Sequence, residues 1–109
     1  MKSRTLWIVA LLALAGCQSV PQFRSYRPNG EERNLGIEVL QHSAMPVRYE
    51  LRIDGEFVAE IKSTLDYHPR ASGTFKGRKV EMRGDFLIAR GFVVEVFVNG
   101  ERAANFTFF

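Results

Sequence analysis

The chain has 109 residues, 46% of them hydrophobic, and carries 15 Lys and Arg against 12 Asp and Glu. That length allows one domain and no more, and its single cysteine, Cys17, excludes an intrachain disulfide in any compartment. A pI near 9.4 would suit a nucleic-acid partner, but Lys2 and Arg4 supply part of it from the first five residues.

Those two cations precede Leu6 to Ala13 (LWIVALLA), which is uncharged and almost wholly apolar, and then Leu14-Ala15-Gly16-Cys17. A charged start, a short apolar core and small residues at its end make the pattern of a secretory signal. Leu6 to Gly16 is eleven residues, well short of the roughly 20 that span a bilayer as a helix. Leu14-Ala15-Gly16-Cys17 resembles the lipobox of bacterial lipoproteins, a resemblance confined to the first 17 residues. It implies cleavage between Gly16 and Cys17, a diacylglycerol on the Cys17 thiol and an acyl chain on the new amine. One acyl chain holds a protein marginally and two or more hold it stably, so such a protein would be a permanent membrane resident. Gln18, where retained lipoproteins carry Asp, implies by the same resemblance sorting to the outer membrane, facing the periplasm. Removing residues 1–16 from 109 leaves 93, and losing Lys2 and Arg4 leaves 13 basic and 12 acidic side chains. With the charge nearly balanced and the chain exported, no nucleic-acid partner is expected.

After Cys17, the stretch to Asn34 (QSVPQFRSYRPNGEERN) holds Pro21, Pro28 and Gly30 and has no sustained period. Residues 17–34 therefore read as the lipidated N-terminus and a flexible tether, spanning roughly 20–25 Å on average. Arg24, Arg27 and Arg33, with Phe23 and Tyr26 beside them, could touch anionic headgroups.

From Leu35 the period changes to two, and residues 35–109 read as a β domain. Leu35, Ile37 and Val39 mark a strand that breaks at His42 to Pro46. Val47, Tyr49, Leu51 and Ile53 mark the next, turned at Asp54-Gly55, and Phe57, Ala59 and Ile61 carry the alternation back. Matching faces across this hairpin favours a three-residue loop, Ile53-Asp54-Gly55, pairing Leu51 with Phe57 and Tyr49 with Ala59. The same reasoning gives a loop Val98-Asn99-Gly100, with Val94 opposite Ala104 and Phe92 opposite Phe106. Glu50 to Glu56 echoes Glu95 to Glu101 at an offset of 45 residues, an echo that shared turn chemistry explains. Lys62 to Ser72 reads as a polar connection, Lys76-Gly77 as the turn of a third hairpin, and Arg90-Gly91 as a bulge. About seven short strands result, with turns every 8–12 residues. The fold class is all-β, a small antiparallel sandwich of immunoglobulin-like or transthyretin-like general shape; a small barrel is the alternative.

Chemistry is sparse. His42 and His68 are the only histidines and neither has a metal-ligand spacing, so no metal is expected. Asp66-Tyr67-His68 sets a carboxylate near an imidazole, while Ser43 and Ser72 lack nucleophile-elbow glycines. Glu50, Glu56, Glu60, Glu81, Glu95 and Glu101 fall on alternating polar positions, as a solvated face does, rather than as a glycosidase pair. Arg70, Lys76, Arg78, Lys79 and Arg83 crowd into 14 residues with one acid, Glu81, a possible contact for phosphates or an acidic protein. Val93 and Phe97 flank Glu95 on the odd face of the last hairpin, where an exposed apolar patch would mark a partner surface. The ending Phe108-Phe109 is similar to the last strand of outer-membrane barrels, but Ala103, Asn105 and Thr107 do not supply the apolar alternation. The sequence thus points to a non-enzymatic accessory subunit of an envelope assembly, binding another envelope protein through Val93 and Phe97 or through an exposed strand edge. Two alternatives are an inhibitor of a cell-wall hydrolase acting through Tyr67 to Ser72, and a small hydrolase using His68.

Overall fold

Alternating apolar and polar residues leave one face of each extended segment to bury, and two sheets packed face to face bury both. The computed structural model describes residues 19–63 and 67–109. The strands are β1 (Ser19–Tyr26), β2 (Leu35–His42), β3 (Val47–Ile53), β4 (Glu56–Ser63), β5 (Arg70–Phe75), β6 (Arg78–Leu87), β7 (Gly91–Val98) and β8 (Glu101–Phe108). They form two antiparallel sheets, β1-β2-β3-β4 (sheet A) and β5-β6-β7-β8 (sheet B). The expected sandwich is present, with eight strands rather than about seven. Each sheet is a meander whose spatial neighbours are sequence neighbours, unlike the Greek-key connections of immunoglobulin domains.

The inner faces carry the predicted core. Ile37, Val39, Leu51 and Ile53 of sheet A and Val80, Met82, Val94 and Val96 of sheet B are wholly enclosed. Tyr49 joins the two sheets, stacking on Phe92 with centroids 4.4 Å apart and meeting Phe108 at 5.2 Å. Its hydroxyl accepts a hydrogen bond from Gln41 Nε2 at 3.1 Å. Burial pushes the phenol pKa up, opposed in part by that bond. At Gly84 a Cβ would stand 2.4 Å from the Phe92 ring and 2.7 Å from Ile61, so only glycine leaves the ring its place. Among the described residues no buried side-chain polar atom lacks a partner.

The extra strand is the predicted tether. Ser19 to Tyr26 pairs with β2 along its whole length, from Ser19 opposite His42 to Tyr26 opposite Leu35. Composition hides this strand because it lies at a sheet edge, where backbone pairing on one side suffices and Pro21 is tolerated. Its side chains are committed too: the Phe23 ring covers Gly36, and Arg24 lies 5.5 Å from the Phe106 ring centroid. Only Arg27 to Asn34 remains as a connection.

Both hairpin registers also differ from expectation. Asp54-Gly55 and Asn99-Gly100 are two-residue turns with φ of 51° and 81°, and of 50° and 81°, the type I′ geometry whose twist suits a hairpin. Ile53 then faces Glu56 and Val98 faces Glu101, which would oppose mismatched faces. A bulge in each hairpin repairs the parity, so that Leu51 faces Ala59, Tyr49 faces Ile61, Val96 faces Ala104 and Val94 faces Phe106. The residues that β4 and β8 skip are Val58 and Ala103, themselves 45 apart. As a result Phe57, predicted to be core, is exposed.

The echo is therefore wider than one turn. Turn, bulge and core of β3–β4 recur in β7–β8 at one offset. Asp54 accepts a hydrogen bond from Gly36 N at 2.7 Å and donates its own N–H to Gly36 O, and Asn99 repeats this with Lys79. Each sheet ties its third turn to the start of its second strand in the same way.

The antiparallel order sorts the connections to two ends. The entry end holds the start of β1, the 43–46 loop, the end of β4, residues 67–69, the 88–90 turn and the end of β8. The turn end holds 27–34, 54–55, 76–77 and 99–100. Gln22 Nε2 donating to Thr107 O at 2.6 Å fastens the sheets toward the entry end, and Asn29 donating to Glu101 at 3.2 Å with the Arg78–Glu31 pair fastens the turn end.

Candidate functional site

The outer face of sheet B follows from the alternation of β7, whose even residues are buried and whose odd residues Val93, Glu95 and Phe97 are half-buried. Pairing sets Glu81 opposite Phe97 and Arg83 opposite Glu95. The Arg83 guanidinium lies 4.3 Å from the Phe97 ring centroid, a cation–π contact. Its Nε donates to Glu81, and this bond with the facing charges pushes the Glu81 carboxyl below its ordinary pKa and the Arg83 guanidinium above its own. Glu95 accepts from Arg102 at 3.3 Å. Phe97 is thus covered on one side by Arg83. Val93 sits toward the entry end, in a groove of about 320 Å³ whose other walls include Leu87, Ala89, Arg90, Thr107 and Phe109.

The edges of the sandwich stand close to each other. At Gly73 of β5 a Cβ would be 2.4 Å from Val58 O of β4, and Gln22 of β1 reaches the Thr107 carbonyl of β8. A partner strand would have to enter between them.

His68 lies at the entry end, its Nδ1 2.7 Å from Asp85 Oδ1. Arg70 stands 3.7 Å from the same oxygen and donates to Pro69 O and Gly84 O at 3.1 and 3.0 Å. The sequence suggested Asp66, which lies outside the described residues; the carboxylate seen is Asp85, 17 residues beyond His68, on β6. The Tyr67 to Ser72 segment is not a free loop. Gly84 N donates to Pro69 O at 2.9 Å and Phe86 N to Tyr67 O at 3.0 Å, so the β5–β6 ladder continues through it. His42, the other histidine, meets Glu50 at 3.0 Å on sheet A, whereas the carboxylate partner of His68 belongs to sheet B.

The five clustered cations divide between two places. Arg70 stands directly opposite Arg83 on the β5–β6 hairpin and, with Lys79, shares the outer face of sheet B around Glu81, while Lys76 and Arg78 lie at the turn end. Arg78 pairs with Glu31, Arg83 with Glu81, and Lys76 lies 5.4 Å from the Phe75 ring centroid. Gly16 and Cys17 lie outside the described residues.

A feature that pairwise motif reasoning missed is the entry end itself. Met45, Tyr67, Phe86, Leu87, Ile88 and Phe109 are all exposed there, Tyr67 and Phe86 with ring centroids 6.1 Å apart. The signal was present in Phe86-Leu87-Ile88, an apolar run that continues past the strand into a turn. Among the described residues no three His, Cys, Asp or Glu side chains are grouped to hold a metal, and no helix is long and apolar enough to cross a membrane. Comparison with protein-family models, curated proteins and solved structures finds no match to this chain.

Proposed function

We propose that this chain is a lipid-anchored lipoprotein of the outer membrane, facing the periplasm, and that it works as a non-enzymatic binding or accessory subunit of an envelope assembly. The anchor rests on the Leu14-Ala15-Gly16-Cys17 resemblance. The observation that carries the binding role is the outer face of sheet B, where Phe97 under Arg83 and the Val93 groove form apolar ground rimmed by the charged pairs Glu81–Arg83 and Glu95–Arg102. An apolar centre with a polar rim containing arginine is the anatomy of a protein contact surface.

Crosslinking in intact cells followed by mass spectrometry tests it, with the native chain compared to Cys17→Ala, Phe97→Ala, Val93→Arg and His68→Ala. One dominant envelope protein should be captured by the native chain and His68→Ala and lost with the other three. A cell-wall hydrolase captured equally by native and Cys17→Ala chains would replace this reading with the inhibitor. Loss in His68→Ala alone would move the function to the His68–Asp85 pair.

A further inference from the structure

We infer that the entry end of the sandwich is a bilayer-contacting surface, seating the domain end-on in the headgroup layer with Met45 and Ile88 as its penetrating side chains. This rests on the lipoprotein reading above and adds to it how the domain is oriented.

Seven of the nine exposed large hydrophobic residues among those described lie at this end, against Phe23 on an outer face and Phe57 at the turn end. Met45 is 88% and Ile88 89% exposed, so neither contributes to the core. They occupy matching places, in the loops between the second and third strands of sheets A and B. Facing sheets stand about 10 Å apart, so the two tips project side by side from one end. Tyr67, 66% exposed beside Phe86, adds an amphipathic ring of the kind that favours a membrane interface.

The chain path puts the anchor here and nowhere else. Cys17 precedes Ser19 by two residues, which limits their separation to about 7 Å, and Ser19 begins β1 at the entry end. Acyl chains on Cys17 would enter the bilayer beside the Met45 and Ile88 loops, with no slack to hold those loops away.

Charge at this end fits an anionic headgroup layer. Lys62 lies near the end of β4 and Arg90 in the 88–90 turn beside the tips. Among the described side chains the nearby carboxylates are engaged, Asp85 with His68 and Arg70, and Glu60 with Arg48 at 3.3 Å. The occupant that suits two apolar tips flanked by Lys62 and Arg90 is the surface of a phospholipid bilayer with anionic lipid.

The sequence supplies a clean reporter. Trp7 is its only tryptophan and lies in the cleaved segment, so one introduced tryptophan reports alone in the mature chain. The full chain, made in bacteria and carrying Met45→Trp, Ile88→Trp or Lys76→Trp, is reconstituted in phosphatidylethanolamine–phosphatidylglycerol vesicles containing brominated acyl chains. The mass of the Cys17 peptide is read on the same samples. Met45→Trp and Ile88→Trp should emit to the blue of Lys76→Trp and be quenched severalfold, while Lys76→Trp keeps its full emission. A lipidated Cys17 with Met45→Trp and Ile88→Trp both unquenched overturns the seating and leaves the lipoprotein reading standing. Equal quenching at Lys76→Trp overturns the end-on orientation. An unmodified Cys17 overturns the lipoprotein reading, and the seating falls with it.

Discussion

Glu50 is the one buried charged residue among those described, at 9% exposure on the outer face of sheet A. Both its oxygens are occupied, one by His42 Nε2 at 3.0 Å and the other by Arg52 Nε. Burial raises its pKa, but the hydrogen bonds and charges of Arg52 and His42 outweigh that and hold the folded-state value below the ordinary carboxylate range. A carboxyl lowered on folding stabilises the fold above its unfolded pKa, about 4.3, and that stability disappears as pH falls through the folded value. Glu50→Gln should therefore be less stable by about 1–2 kcal/mol at pH 7, with the gap from the native chain shrinking below pH 4. Urea unfolding at pH 7 and pH 3 checks both halves. Glycines separate in a similar way. Gly77 has a φ of 79° with nothing within 4 Å of an added Cβ, whereas at Gly91, with φ of 84°, a Cβ would sit 2.2 Å from Phe108 O. Gly77→Ala should cost about 1–2 kcal/mol, and Gly91→Ala more than that, because β8 must move; thermal unfolding of the pair ranks them.

At the scale of elements, the two turn anchors make a matched prediction. Asp54→Ala and Asn99→Ala each put a residue that tolerates the left-handed region less well than Asp or Asn at a φ near 50°, and remove the acceptor of one backbone N–H, from Gly36 or Lys79. Each should cost about 1–3 kcal/mol, and Asn99→Gly, which relieves the φ and still loses the acceptor, should cost less than Asn99→Ala. Chemical denaturation of the three variants checks the order. The core of these strands was legible in the sequence because burial on one face writes a period of two, as in Leu35-Ile37-Val39 and Phe92-Val94-Val96-Val98. The registers were not, because parity alone cannot distinguish a three-residue loop from a two-residue turn followed by a bulge; both return the apolar residues to one face. β1 was hidden for a different reason: an edge strand held by backbone pairing and a few contacts to the rim of the facing sheet leaves no apolar period. For the candidate surface, Val93 and Phe97 could be assigned to the outer face from β7 alone. The Arg83 cover over Phe97, the Asp85 partner of His68 and the gathering of Met45 with Ile88 each join residues from different strands or sheets, which only the sheet order brings together.

At the scale of the molecule, the sheets depend on each other. Tyr49 of sheet A packs against Phe92 and Phe108 of sheet B, and Gly84 is shaped to the Phe92 ring and Ile61. Separated, each sheet would expose a continuous apolar face. Leu51→Ala, at a fully enclosed position, should cost about 2–5 kcal/mol and weaken both sheets alike. Hydrogen exchange should show protection in β7 falling together with that in β3; a loss confined to β3 would mean that the sheets unfold separately. The pairing of β1 with β2 over its full length also fixes reach. With Cys17 in a membrane, the chain works as a rigid bracket and not as a leash. Eight-residue strands rise about 3.4 Å per residue, so the turn end stands only about 27 Å beyond the entry end. On the proposed anchoring, a partner would have to come to the membrane to be met, and its own geometry near the bilayer would set which of this protein's surfaces it could touch.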